Sequence, residues 1–184
     1  MNVETLITQI SQGFSPKWLH FWGHTPSKDG SLGKTCFSQW WAEHPFVIND
    51  VSYATAEHFM MAEKARLFGD EAMLPKILAA SSPAVAKKLG RTVANFNDTL
   101  WLRHRWDIVV RGNLAKFSQH ADLREFLLNT GDRVIVEASS FDRIWGIGMA
   151  ASDARATDPT QWKGLNLLGF ALMEVRQSLK EEQA

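Results

Sequence analysis

Residues 46–69 read Phe46-Val47-Ile48-Asn49-Asp50-Val51-Ser52-Tyr53-Ala54-Thr55-Ala56-Glu57-His58-Phe59-Met60-Met61-Ala62-Glu63-Lys64-Ala65-Arg66-Leu67-Phe68-Gly69. Two β-prone runs flank Asn49-Asp50, so the first eight residues form a hairpin closed by a two-residue turn. Thr55 then offers its hydroxyl to the first turn of a helix that ends at Phe68, before Gly69. Upstream, Val3, Leu6, Ile7 and Ile10 keep helical spacing up to Gly13, and Trp18–Trp22 is a short strand. Downstream come a helix over about 70–80, one opened by Ser82-Pro83 and closed at Gly90, and the longest one, from Asp98 to about Phe117. The long helix carries a stripe of Leu102, Trp106, Val109, Asn113 and Phe117. A short helix over 121–128, a strand over 133–137, an irregular stretch over 152–163 and a final helix with Leu168, Leu172, Val175 and Leu179 on its inner side complete the pattern. On that last helix, Glu174 and Arg176 point towards water. Helices are many and strands few, without strand–helix alternation, which gives a helix-rich α+β fold in one domain over 1–184.

Composition narrows the function. Lysine plus arginine and aspartate plus glutamate both total 20, so the net charge is zero and bulk attraction to nucleic acid or membrane is disfavoured. The lone Cys36 excludes an intramolecular disulfide and any multi-cysteine zinc site, and is expected to be buried. No apolar run approaches a membrane span, and the N-terminus lacks the pattern of a secretory signal, so a cytoplasmic location is expected. Eight tryptophans stand against one tyrosine. Core filling accounts for most of these indoles, and those near loops can stack on a planar ligand.

Four stretches carry chemistry. Glu57 falls in the first turn after Thr55, where the helix dipole favours a carboxylate, with Lys64 two turns along nearly the same face. It is either a surface acid complementing the dipole or a carboxylate facing a cleft. Ser139-Ser140-Phe141-Asp142-Arg143-Ile144-Trp145-Gly146-Ile147-Gly148 follows a buried strand and joins a carboxylate, an indole and glycines that let backbone approach a ligand. Asp142 can equally cap the turn. Gly33-Lys34-Thr35 lacks the upstream glycine of a phosphate loop. Lys34 is either a solvated loop lysine or, in tryptophan-rich surroundings, an amine able to form an imine with a sugar aldehyde. Arg103-His104-Arg105, Arg111 and Lys116 form a basic edge on the long helix, with an Asp107–Arg111 pair. The six histidines show no metal spacing, and neither a metal nor a cofactor is expected.

Several blocks in a fixed order resemble the NADAR family, also called YbiA-like proteins. They are Phe37-Ser38-Gln39-Trp40, Tyr53-x-Thr55-Ala56-Glu57-His58, Ala86-Lys87-Lys88-Leu89-Gly90-Arg91, Leu114-Ala115-Lys116-Phe117, Val136-Glu137-Ala138-Ser139, Asp142-x-x-Trp145-Gly146-Ile147-Gly148 and Trp162-x-Gly164-x-Asn166-x-Leu168-Gly169. The resemblance implies hydrolysis of the N-glycosidic bond between ribose and a base. Its substrate would be a ribosylated pyrimidine intermediate of riboflavin synthesis or an ADP-ribosylated guanine. Nucleic acid would then enter only through a modified base; a module that binds NAD or ADP-ribose without catalysis is the third alternative. The resemblance places Glu57 and Asp142 as catalytic carboxylates, Lys34 as a possible imine former, and Trp145 as the stacking residue. Phe37, Ser38, Trp40, Lys64, Arg91, Arg111, Gly146 and Asn166 complete the expected substrate contacts, with Arg91 and Arg111 towards phosphate.

Overall fold

The computed structural model describes residues 1–182. In chain order its elements are α1 (Val3–Ser11), β1 (Trp18–Phe21), a 3-10 turn (Lys34–Phe37), β2 (Phe46–Ile48), β3 (Val51–Tyr53), α2 (Ala56–Leu67), α3 (Leu74–Leu78), α4 (Pro83–Gly90), α5 (Asp98–Gln119), α6 (Ala121–Leu128), β4 (Val134–Glu137), two further 3-10 turns (Ala154–Thr157 and Pro159–Gln161) and α7 (Leu167–Glu181). The fold is α+β and helix-rich, with its strands in two separate pairs. Among the described residues no helix is long and apolar enough to cross a membrane.

Each pair has a local cause. β2 and β3 pair antiparallel, Phe46 opposite Tyr53, and Asn49 and Asp50 both take the left-handed conformation that a two-residue hairpin turn demands. β1 and β4 lie parallel in the register Trp18↔Val134 to Phe21↔Glu137. Their C-terminal ends therefore emerge together, and the chain after each runs beside the other. Ligands of parallel strand systems gather at that end, where loops diverge from a fixed base.

α2 is the central helix. Thr55, with extended backbone, caps it by accepting from the His58 N–H at 3.2 Å. Ala56 to Ala62 are all buried, because α3, α4 and α5 surround the helix. Two glycines allow this closeness. A Cβ at Gly112 of α5 would lie 2.5 Å from Phe59 Cδ1, and one at Gly90 of α4 would collide with the Met61 sulfur.

Several expectations change in detail. The helix over 70–80 shrinks to Leu74–Leu78, because Asp70 turns its carboxylate onto the Met73 and Ala94 N–H groups and holds a turn instead. Leu102 is exposed, and the buried face of α5 is Ile108, Val109, Gly112, Asn113, Lys116 and Phe117. Arg176 is buried rather than solvated, donating to Thr130 Oγ1 at 2.7 Å and to the Arg133 carbonyl at 3.0 Å. Of the tryptophans only Trp41 is in the core; its indole N–H donates to His44 Nδ1 at 2.8 Å. The other indoles lie at half-buried or exposed positions, where their N–H groups can meet solvent or a loop carbonyl, as Trp162 does with Ala156.

Candidate active site

One cavity of about 460 Å³ opens at the C-terminal ends of β1 and β4. Five stretches line it: Trp22 to Thr25, Ser38 to Trp40, Glu57, Lys87 with Arg91, and Glu137 onward to Trp145. It lies in the size range of small-molecule sites.

Glu57 enters from the first turn of α2 and is only 3% exposed, so it is not a surface acid. Its backbone N–H donates to the Gln39 carbonyl at 2.9 Å, tying the helix start to the Ser38–Trp40 stretch. Burial pushes its carboxyl up to about 7; Lys87, the Trp40 side chain and Arg91 pull the other way, while Asp142 pushes further up. Glu57 Oε1 is buried and has no hydrogen-bond partner among the described residues.

Glu137 ends β4. Val134, Ile135 and Val136 are buried on both sides, so the strand's last side chain is delivered into a dry environment. Its backbone is fixed twice: the N–H donates to Asn166 Oδ1 at 2.9 Å, and the carbonyl accepts from Ile147 N at 3.0 Å. Burial pushes the carboxyl up to about 8, with the neighbouring Asp142 and Glu57 adding to the rise against Lys87. Glu137 Oε2 is likewise buried and without a partner among the described residues. Sequence reading did not select this residue for the site. Its signal was a carboxylate closing an otherwise apolar strand.

Asp142 lines the same cavity and also caps its own turn: Oδ1 accepts from Ile144 N at 2.8 Å and Trp145 N at 2.7 Å. Capping the turn thus does not remove Asp142 from the cavity lining. Ser139 Oγ steadies the start of the turn by accepting from the Phe141 and Asp142 N–H groups. Trp145 forms part of the wall, and Trp22 (63% exposed) and Phe141 (90% exposed) form an aromatic rim. Trp40 faces His24 with ring centroids 5.3 Å apart, and Lys87 Nζ stands 5.7 Å from the Trp40 ring centroid.

The Ser38–Trp40 stretch is held from behind by α5. Asn113 Nδ2 donates to Gln39 Oε1 at 2.8 Å, and the fully buried Lys116 donates to the carbonyls of Cys36 and Ser38 at 2.6 and 3.1 Å. Lys116 is thus an internal clamp, not part of a basic edge, and burial lowers its ammonium to about 7. Cys36 beside it is sealed, its thiol pushed up to about 12 by the same burial, against the pull of Lys116.

The structure gathers Glu57, Asp142, Trp145, Ser38, Trp40 and Arg91 around the cavity and leaves the other expected residues outside its lining. Lys34 opens the 3-10 turn and is exposed, because the turn directs Cys36 and Phe37 inward instead. Phe37 is fully buried against Phe21, Phe117 and Phe126. Lys64 Nζ lies 4.3 Å from the Phe96 ring centroid, drawn to the ring's negative face. Arg111 pairs with Glu63 instead of Asp107, and lines a separate cavity with Arg66 and Tyr53. Gly146 faces protein: a Cβ there would lie 2.8 Å from the Glu137 carbonyl oxygen. Asn166 is fully buried in a left-handed conformation, bracing Ile135 and Glu137. Among the described residues no group of three or more His, Cys, Asp or Glu side chains could hold a metal ion.

The chain is similar to known proteins along most of its length. Residues 20–180 match the NADAR domain family. The chain is 44% identical over 165 residues to an N-glycosidase of Acanthamoeba polyphaga mimivirus, covering 88% of this chain and 95% of that protein. It is 40% identical over 150 residues to an N-glycosidase of Nostoc punctiforme, covering 79% and 85% of the two chains. The NMR structure of the Escherichia coli protein YbiA superposes with a TM-score of 0.70 at 30% identity, covering 94% of this chain and 90% of that one. Sequence blocks, fold and relatives point the same way, and the chain belongs to the NADAR domain family.

Proposed function

We infer that the protein is an N-glycosidase that hydrolyses the bond between a ribosyl C1′ and a nitrogenous base. The observation that carries this reading is the pair of buried, partnerless carboxylate oxygens, Glu57 Oε1 and Glu137 Oε2, on one indole-walled cavity. A buried carboxyl oxygen without a protein partner calls for a water or a ligand to meet it, and two of them in one cavity support a place for the reacting water and the substrate. Departure of the base builds positive charge on C1′ and O4′, which an adjacent carboxylate stabilises. The leaving nitrogen needs a proton, and a water needs orientation for attack at C1′. Glu57 is the carboxylate that faces the developing charge and draws the proton from that water. Asp142, fixed through Oδ1, presents its remaining oxygen to ribose hydroxyls, while Trp145 stacks on the substrate. Lys87 and Arg91, one helical turn apart, receive a phosphate of a ribose phosphate or ADP-ribose. Lys34 lies outside the cavity lining, so direct water attack is preferred to an imine on that lysine.

The preferred substrate is a ribosylated pyrimidine of the kind formed in riboflavin synthesis. The exposed rim of Trp22 and Phe141 favours a second reading, in which a guanine carrying ADP-ribose is presented from outside. A purely binding module does not require two buried carboxyl groups beside an anionic ligand. Side-by-side assays of base release from a pyrimidine riboside phosphate and from ADP-ribosyl-guanine, with wild type and Glu57→Gln, test the proposal. Release by wild type from either substrate, and its loss in Glu57→Gln, is expected. No release from either by wild type refutes the reading.

A further inference from the structure

We propose that Glu137 is the general acid of this site, delivering its carboxyl proton to the base nitrogen as the glycosidic bond breaks. The assignment rests on the N-glycosidase reading and divides the three carboxylates by their surroundings. Asp142 has one oxygen committed to two N–H groups of its own turn. Glu57 lies in the first turn of α2, where the helix dipole supports negative charge, and it faces the cations Lys87 and Arg91. Glu137 is carried by a strand and not by the first turn of a helix. It ends a buried strand with Oε2 unpartnered, Asp142 and Glu57 on its side of the cavity, and Lys87 as the cation that faces it. Two acidic neighbours and a dry wall favour the protonated form there. Environments that push two carboxyl groups apart are how one site holds an acid and a base together.

The step balances as a hydrolysis. The C1′–N bond breaks with its electron pair going to nitrogen, and nitrogen takes the Glu137 proton. Water adds its hydroxyl to C1′ and gives its proton to the Glu57 carboxylate. Glu57 then holds a proton and Glu137 a negative charge, and exchange with solvent restores both. The acid is preorganised because the Glu137 backbone is fixed by Asn166, Ile147 and its register with Phe21. Asn166, expected from sequence to touch substrate, acts as a positioning residue for the acid.

The test separates leaving groups that need a proton from those that do not. The probes are an aminopyrimidine riboside phosphate and a pyridinium riboside phosphate; the latter departs as a neutral base without protonation. Glu137→Gln lowers kcat on the aminopyrimidine by about 10²–10⁴-fold and on the pyridinium by less than about tenfold, whereas Glu57→Gln lowers both alike. The alkaline limb of the wild-type kcat profile on the aminopyrimidine disappears in Glu137→Gln. Equal losses on both probes, or an unchanged alkaline limb, overturn the assignment. Wild type inactive on both probes and on ADP-ribosyl-guanine sinks the N-glycosidase reading itself; where only ADP-ribosyl-guanine is turned over, loss of the alkaline limb on that substrate in Glu137→Gln decides; and wild type active only on the pyridinium sinks the acid alone. If the pyridinium is no substrate for wild type, the alkaline limb decides. Should Glu137→Gln not fold, Glu137→Ala serves: it loses rate on the aminopyrimidine and largely keeps it on the pyridinium if the acid role holds, and equal losses on both refute it.

Discussion

Glu57→Gln should make the protein inactive and, above neutral pH, more stable. Folding raises the Glu57 carboxyl from 4.5 to about 7, so the folded state binds more protons than the unfolded one across that window. Stability from this group is therefore intact below about pH 4.5 and is lost as pH rises through about 7. At about 1.4 kcal/mol per pKa unit, the shift penalises the folded state by about 3 kcal/mol at pH 8, of which under about 1 kcal/mol is already felt at pH 5. Glutamine carries no such penalty, although its buried amide adds a cost that does not depend on pH. Comparing melts of both proteins at about pH 5 and pH 8 cancels that cost; Glu137 is also relieved of its Glu57 neighbour in the mutant, which shifts the comparison in the same direction. For a chain of this length the mutant's melting temperature should gain on wild type by roughly 5–10 °C between the two pH values. A difference that stays flat, or that closes with rising pH, would refute the argument that Glu57 is held ionisable in a dry cavity against its own stability.

Gly112→Ala should lower stability by about 1–3 kcal/mol, because the new methyl meets Phe59; thermal melts read it, and an unchanged melting temperature contradicts the close α2–α5 crossing. Lys116→Met leaves the Cys36 carbonyl without its donor, costing about 1–3 kcal/mol, takes one of two donors from the Ser38 carbonyl, which keeps the Trp41 N–H, and loosens the stretch that carries Trp40. The Lys116 ammonium is lowered from 10.5 to about 7, so the unfolded chain holds the extra proton between those values and wild type gains stability as pH rises. The deficit of Lys116→Met, measured by denaturation at about pH 7 and pH 9.5, should widen toward the alkaline side. Cys36 should resist aromatic disulfide reagents at pH 8 until denaturant is added, since it is fully buried with its thiol pushed up to about 12. Prompt labelling of the folded protein would contradict that seal.

The parts of the fold read correctly from sequence are those with local causes. Thr55 caps α2, Ser82-Pro83 opens α4, and Asn49-Asp50 turns the hairpin, each through atoms a few residues away. Glu57 and Asp142 were visible as candidates because one marks a helix start and the other a turn after a strand. The remainder is set by distant partners. Lys116 and Arg176 look like solvated charges on helices, yet each has carbonyl acceptors supplied by chain far away. Glu137 looks like the polar end of a strand until β1, Asn166 and the Asp142 turn close around it. Periodicity records which face of an element is apolar, not which carbonyls wait opposite it.

The parallel pairing of Trp18–Phe21 with Val134–Glu137 also fixes when the molecule becomes competent. Trp22 to Thr25 emerges early in synthesis, but the wall it faces is encoded near the far end of the chain. Contacts of such long sequence separation form late, after the helices between them have condensed. During refolding, helical circular dichroism should therefore recover ahead of turnover, and a chain truncated before residue 134 would retain much helix with an unfinished pocket. Enzymatic competence in this protein is a property of the closed topology, and no helical hairpin within it can carry that property alone.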